Sequence, residues 1–274
     1  MQPLETRSAD GTPIKLYRWG NENKNNVILV HGLAEHAGRY GHVAERLVAA
    51  GYRVTLVELR GHGASGGARG HVERWRRYTE DLRAAAASVG APFALVAHSM
   101  GGLVSLDALS EPFSPAVLGV ALSNPLVRPA IVAPPLKIKA ARVLSRIWPS
   151  LPLKNEIDTK LISRDAAVVR AYEADPLVFG TISPRWGMEM LAASDRVQSA
   201  SGPRPPLYLM ISDADQICDH KASAAVAERW GGSKQVVLYA GLYHELFNEP
   251  EKDQVFDGLC AWLHTLAWPA AAGA

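Results

Sequence analysis

The sequence predicts an α/β fold with a mostly parallel central sheet and helices on both of its faces. Short apolar runs that suit buried strands alternate with longer segments whose apolar residues follow helical spacing. Two of the helical segments stop directly before a glycine, at Gly51 and Gly90. Nearly half of the 274 residues are hydrophobic, which is enough for a substantial core. Together these observations are typical of a parallel sheet whose strands are joined by crossover helices.

The predicted elements follow one another in a regular order. Strands are expected at residues 27–30, 54–59, 93–97, 117–122, 207–212 and 235–239. Helices are expected at residues 40–50, 72–89, 103–109, 221–230 and 253–268. Strand patterns stop between about residues 126 and 186, where prolines cluster. We therefore predict a core formed by residues 1–125 and 187–274, with residues 126–186 inserted as a cap (a lid) over the strand ends.

Composition excludes several classes of protein. The net charge of +2 gives no reason to expect a nucleic-acid partner, and no apolar run is long enough to span a bilayer. Residues 1–12 lack the apolar core of a signal peptide. Cys218 and Cys260 have no metal-ligand spacing and are too few for a disulfide framework. We expect a cytoplasmic protein, and leave peripheral membrane contact and the oligomeric state open.

One part of the predicted cap, residues 128–155, is strongly basic, and we call it the basic segment. Its six basic side chains, with no acidic one among them, are Arg128, Lys137, Lys139, Arg142, Arg146 and Lys154. Its apolar residues at helical spacing are Leu136, Ala140, Val143, Leu144 and Ile147. A basic amphipathic helix of this kind either lies on an anionic lipid surface or buries its apolar face against the protein body. The sequence leaves both interpretations open.

The most informative stretch, residues 93–102, runs from an apolar strand into a serine with small neighbours. Ser99 has Ala97 two positions before it and Gly101 two positions after it. Small residues are needed there if the serine lies on a strained strand-to-helix turn that exposes its hydroxyl. This is the nucleophile elbow of the α/β-hydrolases, usually written Gly-x-Ser-x-Gly. The alternative is an ordinary serine at a helix N-cap.

The general base is expected in a loop after the last strand, because the order in this fold is serine, acid, histidine. Three histidines lie far enough along the chain. His264 falls within a predicted helix, and His220 opens a helix directly after the expected position of the acid. His244 follows strand 235–239 and a short turn, so it is the predicted base.

The acid is expected just beyond strand 207–212. Asp215 is preferred because a short turn is needed to aim the carboxylate back at the histidine, and Asp213 is the competing choice. Asp219 better suits the N-cap of the following helix. The three predicted catalytic residues are therefore Ser99, Asp215 and His244.

An oxyanion hole needs two backbone N–H groups aimed at the oxygen that becomes negatively charged. One donor is expected from Met100, the residue after the nucleophile. The other is expected from Leu33, in the loop after strand 27–30, where Gly32 allows a close approach of the backbone.

Several motifs resemble those of the monoacylglycerol lipases and related lysophospholipases of the α/β-hydrolase fold, particularly bacterial members. The loop at residues 31–40 resembles their His-Gly-x-Gly-Glu-His-x-x-Arg-Tyr stretch, and residues 60–65 resemble the Arg-Gly-His-Gly-x-Ser turn common in α/β-hydrolases. Residues 162–165 and 172–177 resemble the cap of these lipases, and residues 241–249 resemble their catalytic-histidine segment. The resemblance extends from about residue 8 to residue 266.

The resemblance implies a serine hydrolase that cleaves monoacylglycerols to fatty acid and glycerol without a metal or an organic cofactor. Lysophospholipase or broad carboxylesterase activity is the alternative. A non-catalytic carrier of the same fold is disfavoured because all three catalytic residues are present in order. The small lipid substrate is the expected partner, with membrane contact through the basic segment as an option.

The resemblance also assigns residues around the substrate. The side chains implied to hold glycerol are Glu35, Arg39, His98 and Tyr172. Their alternative roles are structural: Glu35 and Arg39 as an ion pair that fixes a loop, and Tyr172 as packing in the cap. Cys218 matches a cysteine near the glycerol pocket of the mammalian enzymes, and its alternative is a small buried apolar residue.

Three positions depart from the family pattern. Ala34 replaces the second glycine of the oxyanion loop, and Leu33 replaces a commonly smaller residue and could narrow the acyl entrance. Phe247 stands where mammalian members have a histidine near the glycerol end, so that contact is absent here.

Overall fold

The computed structural model describes residues 1–22 and 24–269, and it contains the predicted central sheet. Eight strands lie in the order β1-β2-β4-β3-β5-β6-β9-β10, and all pairs from β4 to β10 are parallel. The strands of this sheet are β1 Gln2–Arg7, β2 Pro13–Trp19, β3 Asn25–Val30, β4 Tyr52–Val57, β5 Phe93–His98, β6 Val117–Ser123, β9 Leu207–Ile211 and β10 Lys234–Leu238. A separate antiparallel pair is formed by β7 Leu153–Lys154 and β8 Thr181–Ile182.

Helices cover both faces of the sheet, as predicted. Their bounds are α1 Gly41–Ala49, α2 Arg76–Val89, α3 Ser99–Ala108, α4 Pro135–Ile147, α5 Ala166–Ala174, α6 Pro184–Ser199, α7 His220–Glu228 and α8 Lys252–His264. Capping residues set several of these ends. Ser183 caps the start of α6, where Pro184 follows, and Gly90 ends α2 in the left-handed conformation.

The core consists of two apolar layers, one on each face of the sheet. One layer joins the sheet to α2, α3, α6 and α7, and its largest buried side chains include Trp75 and Trp186. The other layer joins it to α1 and α8. Every residue of β5 is buried, which is typical of a central strand covered on both sides. This central strand is the one that leads to Ser99.

The structure corrects several predicted boundaries. The predicted helix 72–89 begins only at Arg76, because Trp75 packs into the core while its N–H donates to Glu189 in α6. The last helix ends at His264 rather than residue 268, and α3 begins at Ser99 itself. The hairpin β1–β2 was not predicted from the sequence, and it adds two antiparallel strands at the edge next to β4.

Residues 126–186 lie outside the central sheet and contain α4, α5 and the short pair β7–β8. The strands of that pair are a feature that the sequence patterns did not indicate. α4 packs against α6, which begins just before the end of this segment. Whether the segment acts as a cap remains a prediction. Throughout residues 1–22 and 24–269, every helix is too short or too polar to cross a bilayer.

Candidate active site

The turn after β5 holds Ser99 in a backbone conformation that side-chain-bearing residues rarely adopt. Its φ is +50°, a strain that costs about 1–3 kcal/mol and is common at functional turns. Gly101 makes the turn possible, since a Cβ there would lie 2.5 Å from the carbonyl oxygen of His31. The N-cap of α3 is His98, so the alternative interpretation of Ser99 as an N-cap serine is wrong. The geometry is that of a nucleophile elbow.

Ser99, His244 and Asp215 form one hydrogen-bonded chain. The Ser99 hydroxyl lies 3.0 Å from Nε2 of His244, and Nδ1 of His244 lies 2.8 Å from Oδ2 of Asp215. The N–H groups of Ile217 and Cys218 donate to the other oxygen of Asp215, Oδ1, at 2.8 and 3.0 Å. The carboxylate is therefore held from both sides, and the predicted nucleophile, base and acid meet in one place.

The electrostatics of this chain suit proton transfer. Burial lowers the pKa of His244, but the charge and hydrogen bond of the Asp215 carboxylate and the charges of Glu245 and Glu35 together outweigh it, so the pKa is raised. For Asp215, burial opposes ionisation, but the hydrogen bonds and charge of His244 win, and its pKa is lowered. A charged acid beside a histidine of raised proton affinity is what a general base needs.

The competing candidates lie elsewhere. Asp213 accepts a hydrogen bond from Gly241 N–H at 2.8 Å, at an exposed position. Asp219 caps α7, as predicted, and His220 is the first residue of that helix. His264 ends α8, with its ring 5.6 Å from that of Tyr52. None of these four candidates joins the hydrogen-bonded chain on Ser99 in the described residues.

The two predicted oxyanion donors flank the nucleophile. Met100 lies in the first turn of α3, where backbone N–H groups have no acceptor within the helix. Gly32 approaches so closely that a Cβ on it would lie 3.2 Å from the Cβ of Ser99. Within the described chain, neither Leu33 nor Met100 donates its N–H to a protein acceptor. Their assignment as an oxyanion hole stays a prediction that this geometry supports.

Two buried histidines beside the site are held neutral. Burial, together with the charge of neighbouring His244, lowers the pKa of His98 to about 3. Its Nδ1 donates to the carbonyl oxygen of Ser123 at 3.1 Å, and its ring lies 4.6 Å from that of His244. Burial also lowers the pKa of His31 to about 4, and this ring bridges Gly32 O and Leu59 N–H. Both rings are therefore neutral, packed against their neighbours and held in place by hydrogen bonds to the main chain.

The four side chains predicted to hold glycerol divide into two environments. Arg39 donates to Oε2 of Glu35 at 2.5 Å, and its guanidinium lies 4.6 Å from the centre of the Tyr172 ring. The His98 ring lies against that of His244, with 4.6 Å between the ring centres. The structure thus contains the loop-fixing ion pair that was the alternative role for Glu35 and Arg39. It also adds a partner that the sequence did not indicate, because Arg39 forks onto both oxygens of Glu245 at 2.7 Å.

Cys218 lies next to Ser99, with its sulfur 4.0 Å from the Ser99 hydroxyl. Ligand atoms of Asp215, Cys218 and His244 all lie within 4.8 Å of one another, a spacing that a metal ion could bridge. A cysteine ligand has to be a thiolate. Burial, reinforced by the Asp215 charge, raises the pKa of Cys218 well above its ordinary value. The donor set therefore suits a protonated thiol beside a proton-transfer chain better than a metal.

Residues 126–186 touch both loops of the site. The N–H of Glu245 donates to the carbonyl oxygen of Ile162 at 2.8 Å, next to the catalytic-histidine candidate. The N–H of Phe179 donates to Ala34 O at 3.2 Å, in the oxyanion loop. Ala34 has a φ of +65°, which explains the glycine of the family pattern at this position. Residues 126–186 thus contact the site at two places, the loop that holds Glu245 and the loop that holds Ala34.

Comparisons with known proteins agree with this geometry. The family described as "Serine aminopeptidase, S33" matches residues 21–251. The monoacylglycerol lipase of Mycolicibacterium smegmatis is 35% identical over 245 residues, which is 86% of this chain and 87% of that protein. The chain belongs to the monoacylglycerol lipase family of α/β-hydrolases. It is also similar to phospholipase YtpA of Bacillus subtilis, at 31% identity over 84% of this chain and 91% of that protein.

A solved structure from the family superposes closely on the chain. The monoacylglycerol lipase of Paleococcus ferrophilus matches with a TM-score of 0.84 and 31% identity, covering 96% of this chain and 98% of that one. The α/β-hydrolase fold and the family inferred from the sequence are therefore confirmed. The chain is a carboxylic-ester hydrolase of this family.

Sequence reasoning missed two polar residues of the site. Asn124, just after β6, donates to the carbonyl oxygen of His244 at 2.8 Å and accepts from Ser212 N–H at 2.9 Å. Its φ is +38°, a conformation that asparagine tolerates better than most residues. The available signal in the sequence was therefore an asparagine directly after a strand. Glu245 is the second, and its position directly after His244 was the only hint. Both residues fix the loop that carries the histidine.

Proposed function

We propose that the protein hydrolyses monoacylglycerols to fatty acid and glycerol through an acyl-enzyme on Ser99. His244 takes the hydroxyl proton as Ser99 attacks the ester carbonyl, and Asp215 stabilises the imidazolium that forms. His244 then gives its proton to the departing glycerol oxygen. Water enters, His244 removes a proton from it as the water oxygen attacks the acyl ester, and His244 then gives that proton to the Ser99 oxygen as the fatty acid leaves. All bonds are made and broken by these side chains and water.

The observation that carries the proposal is the unbroken chain from Ser99 to Asp215. Its two distances, 3.0 and 2.8 Å, lie within the range that general-base catalysis requires. Ser99 and His244 are only 6% and 5% exposed, so the proton transfer takes place away from bulk water. The strained turn at Ser99 further supports a nucleophile, because such strain persists where function needs it.

The oxyanion that forms on the carbonyl is assigned to the N–H groups of Leu33 and Met100. Both belong to backbone next to Ser99, and removal of one such donor typically costs about 3–4 kcal/mol of transition-state stabilisation. Backbone donors cannot be removed by side-chain substitution. A substitution at Ala34, the residue after Leu33, would instead disturb the loop that carries the Leu33 N–H.

A monoacylglycerol is the preferred substrate class because two of the similar proteins carry that name. A single long acyl chain contributes about 0.8 kcal/mol per buried CH₂. The free glycerol hydroxyls need polar partners. Within the described residues, Nε2 of His98 and the Tyr172 hydroxyl make no hydrogen bond to protein, so both are available to them. These two are the glycerol contacts that we carry forward.

The test is a comparison of two substrates with one acyl chain, a monoacylglycerol and a lysophosphatidylcholine. We expect kcat/KM of the wild type to favour the monoacylglycerol clearly, and Ser99→Ala to lose both activities. Labelling by a fluorophosphonate should occur in the wild type and vanish in Ser99→Ala. A wild type that neither labels nor cleaves either ester contradicts the proposal.

Lysophospholipase activity is the second candidate, because the chain is similar to a phospholipase of Bacillus subtilis over most of its length. In that case the same catalytic residues act on a different alcohol. Equal rates on the two substrates, or a preference for lysophosphatidylcholine, would move the assignment there. His98 and Tyr172 would then have no special role in selecting the alcohol.

We also propose that residues 126–186 act as a cap and that the basic segment contacts an anionic lipid surface. The apolar stripe of α4 faces outward, since Leu136 and Ile147 are 78% and 77% exposed. Val143 and Trp148 next to them are also exposed. This arrangement disfavours the interpretation in which the helix buries its apolar face. Exposed apolar residues among basic ones suit the boundary between lipid headgroups and acyl chains.

Vesicle binding tests the contact with lipid. The protein should sediment with vesicles that contain phosphatidylglycerol and less with pure phosphatidylcholine. Removing apolar surface in Ile147→Ser/Trp148→Ser, or charge in Arg142→Gln/Arg146→Gln, should weaken binding at least several-fold. Leu238→Thr is the control, because this exposed residue lies on the edge strand β10. Equal binding by all variants contradicts the proposal.

Cys218 is proposed as a thiol that borders the alcohol end of the site. Its burial and raised pKa predict slow alkylation of the folded protein, slower than at the half-buried Cys260. Once Cys218 is fully modified, turnover of the monoacylglycerol should slow because the added group stands 4.0 Å from the nucleophile's position. Unchanged kinetics after complete modification would reduce Cys218 to packing.

A further inference from the structure

Arg39 binds two buried carboxylates that come from opposite sides of the site. Its Nη1 contacts Oε2 of Glu35 at 2.5 Å and Oε1 of Glu245 at 2.7 Å, and its Nη2 contacts Oε2 of Glu245 at 2.7 Å. The two-pronged contact with Glu245 is the geometry in which arginine binds carboxylates most strongly. The Tyr172 ring covers the guanidinium at 4.6 Å. We call this group of three charged side chains the Arg39 cluster.

One end of the cluster fixes the oxyanion loop. Oε1 of Glu35 accepts the N–H of Gly32 at 2.6 Å and the hydroxyl of Tyr40 at 2.7 Å. Gly32 and Glu35 stand on either side of Leu33, the proposed oxyanion donor. The carboxylate therefore closes the short turn from which the N–H of Leu33 points toward the substrate. Protein groups already make three hydrogen bonds to the Glu35 carboxylate, which leaves little capacity for a substrate hydroxyl.

The other end fixes the histidine loop. Glu245 directly follows His244, and its Oε2 also accepts from the side-chain amide of Asn248 at 2.7 Å. Its backbone N–H is bound to Ile162 O in the neighbouring segment. The Glu245 side chain is thereby pinned at both oxygens and at the main chain. A shift of this residue would move the imidazole of His244 with it.

We infer that Glu245 is a positioning residue, and that the Arg39 cluster aligns the oxyanion loop with the histidine loop rather than binding the alcohol of the substrate. This inference rests on the proposed roles of Ser99, His244 and Leu33. The two loops are 206 residues apart in sequence at the Arg39–Glu245 contact. Arg39 links them by side chains alone, with a cation that cannot deprotonate and a rigid fork that sets their distance.

A second property of the cluster agrees with this role. Its two carboxylates are buried and its guanidinium side chain is 10% exposed, and the group carries a net negative charge beside the imidazole. That charge favours the imidazolium that forms when Ser99 loses its proton, in the same sense as the charge of Asp215. Glu245 and Glu35 both contribute to the raised pKa of His244. Position and electrostatics therefore act together on the same step.

The decisive experiment compares two esters of one fatty acid, a monoacylglycerol and a p-nitrophenyl ester that lacks glycerol hydroxyls. For Glu245→Gln, which keeps the shape of the side chain but loses its charge, we expect kcat to fall about 10- to 100-fold on both substrates. KM should change by less than about threefold. Arg39→Lys keeps the charge but not the fork, and it should lose activity on both esters to a similar extent.

Glu228→Gln is the matched control, since Glu228 is exposed at the end of α7, and its activity should equal that of the wild type. Thermal unfolding checks that each variant is folded, and Arg39→Lys carries the test if Glu245→Gln does not fold. A loss confined to the monoacylglycerol, or one seen mainly in KM, would overturn the inference in favour of alcohol binding. Wild-type kcat in Glu245→Gln would also overturn it. Failure of the proposed function looks different, because the wild type itself would then not cleave the monoacylglycerol.

Discussion

Replacing Gly101 by alanine would test how tightly the turn at Ser99 is packed. A Cβ on Gly101 would lie 2.5 Å from the carbonyl oxygen of His31 and 2.7 Å from that of Val30. Ordinary contacts between carbon and carbonyl oxygen are about 3.3 Å or longer. The first turn of α3 would therefore have to move away from β3 by roughly 0.8 Å. Both neighbours are backbone atoms at the end of a central strand, so a side-chain rotation cannot relieve the contact.

Two effects of Gly101→Ala can be estimated from this displacement. Overpacking of a well-packed region typically costs about 1–3 kcal/mol, and we expect the free energy of unfolding to fall by that amount. A misplacement of reacting groups near 1 Å can cost about 100-fold in rate. The Ser99 hydroxyl lies two residues from the contact, so we expect kcat to fall by about that factor. Urea denaturation and initial rates on a monoacylglycerol measure the two effects.

The same substitution at Gly187 provides the control. Gly187 lies within α6, where a Cβ meets nothing within 4 Å, and alanine is the better helix former. Gly187→Ala should therefore stabilise the protein by about 0.5–1 kcal/mol and leave kcat unchanged. The two alanine variants should differ in the sign of their effect on stability. If Gly101→Ala unfolds at the same urea concentration as the wild type and keeps its kcat, the reasoning about the tight turn is refuted.

Two further predictions concern titration and buried charge. His244 accepts a proton only when it is neutral, and its pKa is raised, so kcat/KM should decline as pH falls, with a midpoint above pH 6.5. Asp215→Asn should move that midpoint to lower pH. A midpoint below pH 6.5 in the wild type would contradict this reasoning. Asp81→Asn leaves the buried Arg60 guanidinium without its main partner and should lower the free energy of unfolding by about 3 kcal/mol. Asp257→Asn removes a surface ion pair with Arg46 in which the Asp257 side chain is 70% exposed. It should lower the free energy of unfolding by less than about 1 kcal/mol in the same urea measurement.

Much of the fold could be predicted because its central strands are apolar on both faces. β3, β5, β6 and β9 are short hydrophobic runs, and each was located to within about two residues. The hairpin β1–β2 escaped prediction because β1 is mostly polar and because β2 offers only a short alternating pattern, Ile14-Lys15-Leu16. Hydrogen bonds to β4 and the buried side chains of Ile14 and Leu16 hold the hairpin in the sheet.

The site was partly predictable for a related reason. Ser99, Asp215 and His244 could be found because each follows a strand that the sequence reveals, and parallel strands bring such loops to one edge of the sheet. Glu245 could not be assigned, since its partner Arg39 lies 206 residues away and no local pattern joins them. The outward orientation of α4 was also beyond the sequence. An amphipathic pattern identifies the apolar face of a helix but does not say what lies opposite it.

The order of the strands has a consequence for the synthesis of the enzyme. β9 and β10 are the last strands to be made and complete the sheet beside β6, and the proposed base His244 lies 145 residues after the proposed nucleophile Ser99. Ser99 is therefore synthesised well before His244, and the hydrogen-bonded chain between them cannot form until His244 has been made. A chain that ends before His244 carries Ser99 without its proposed base. On the proposed mechanism, hydrolysis therefore requires translation to continue through His244.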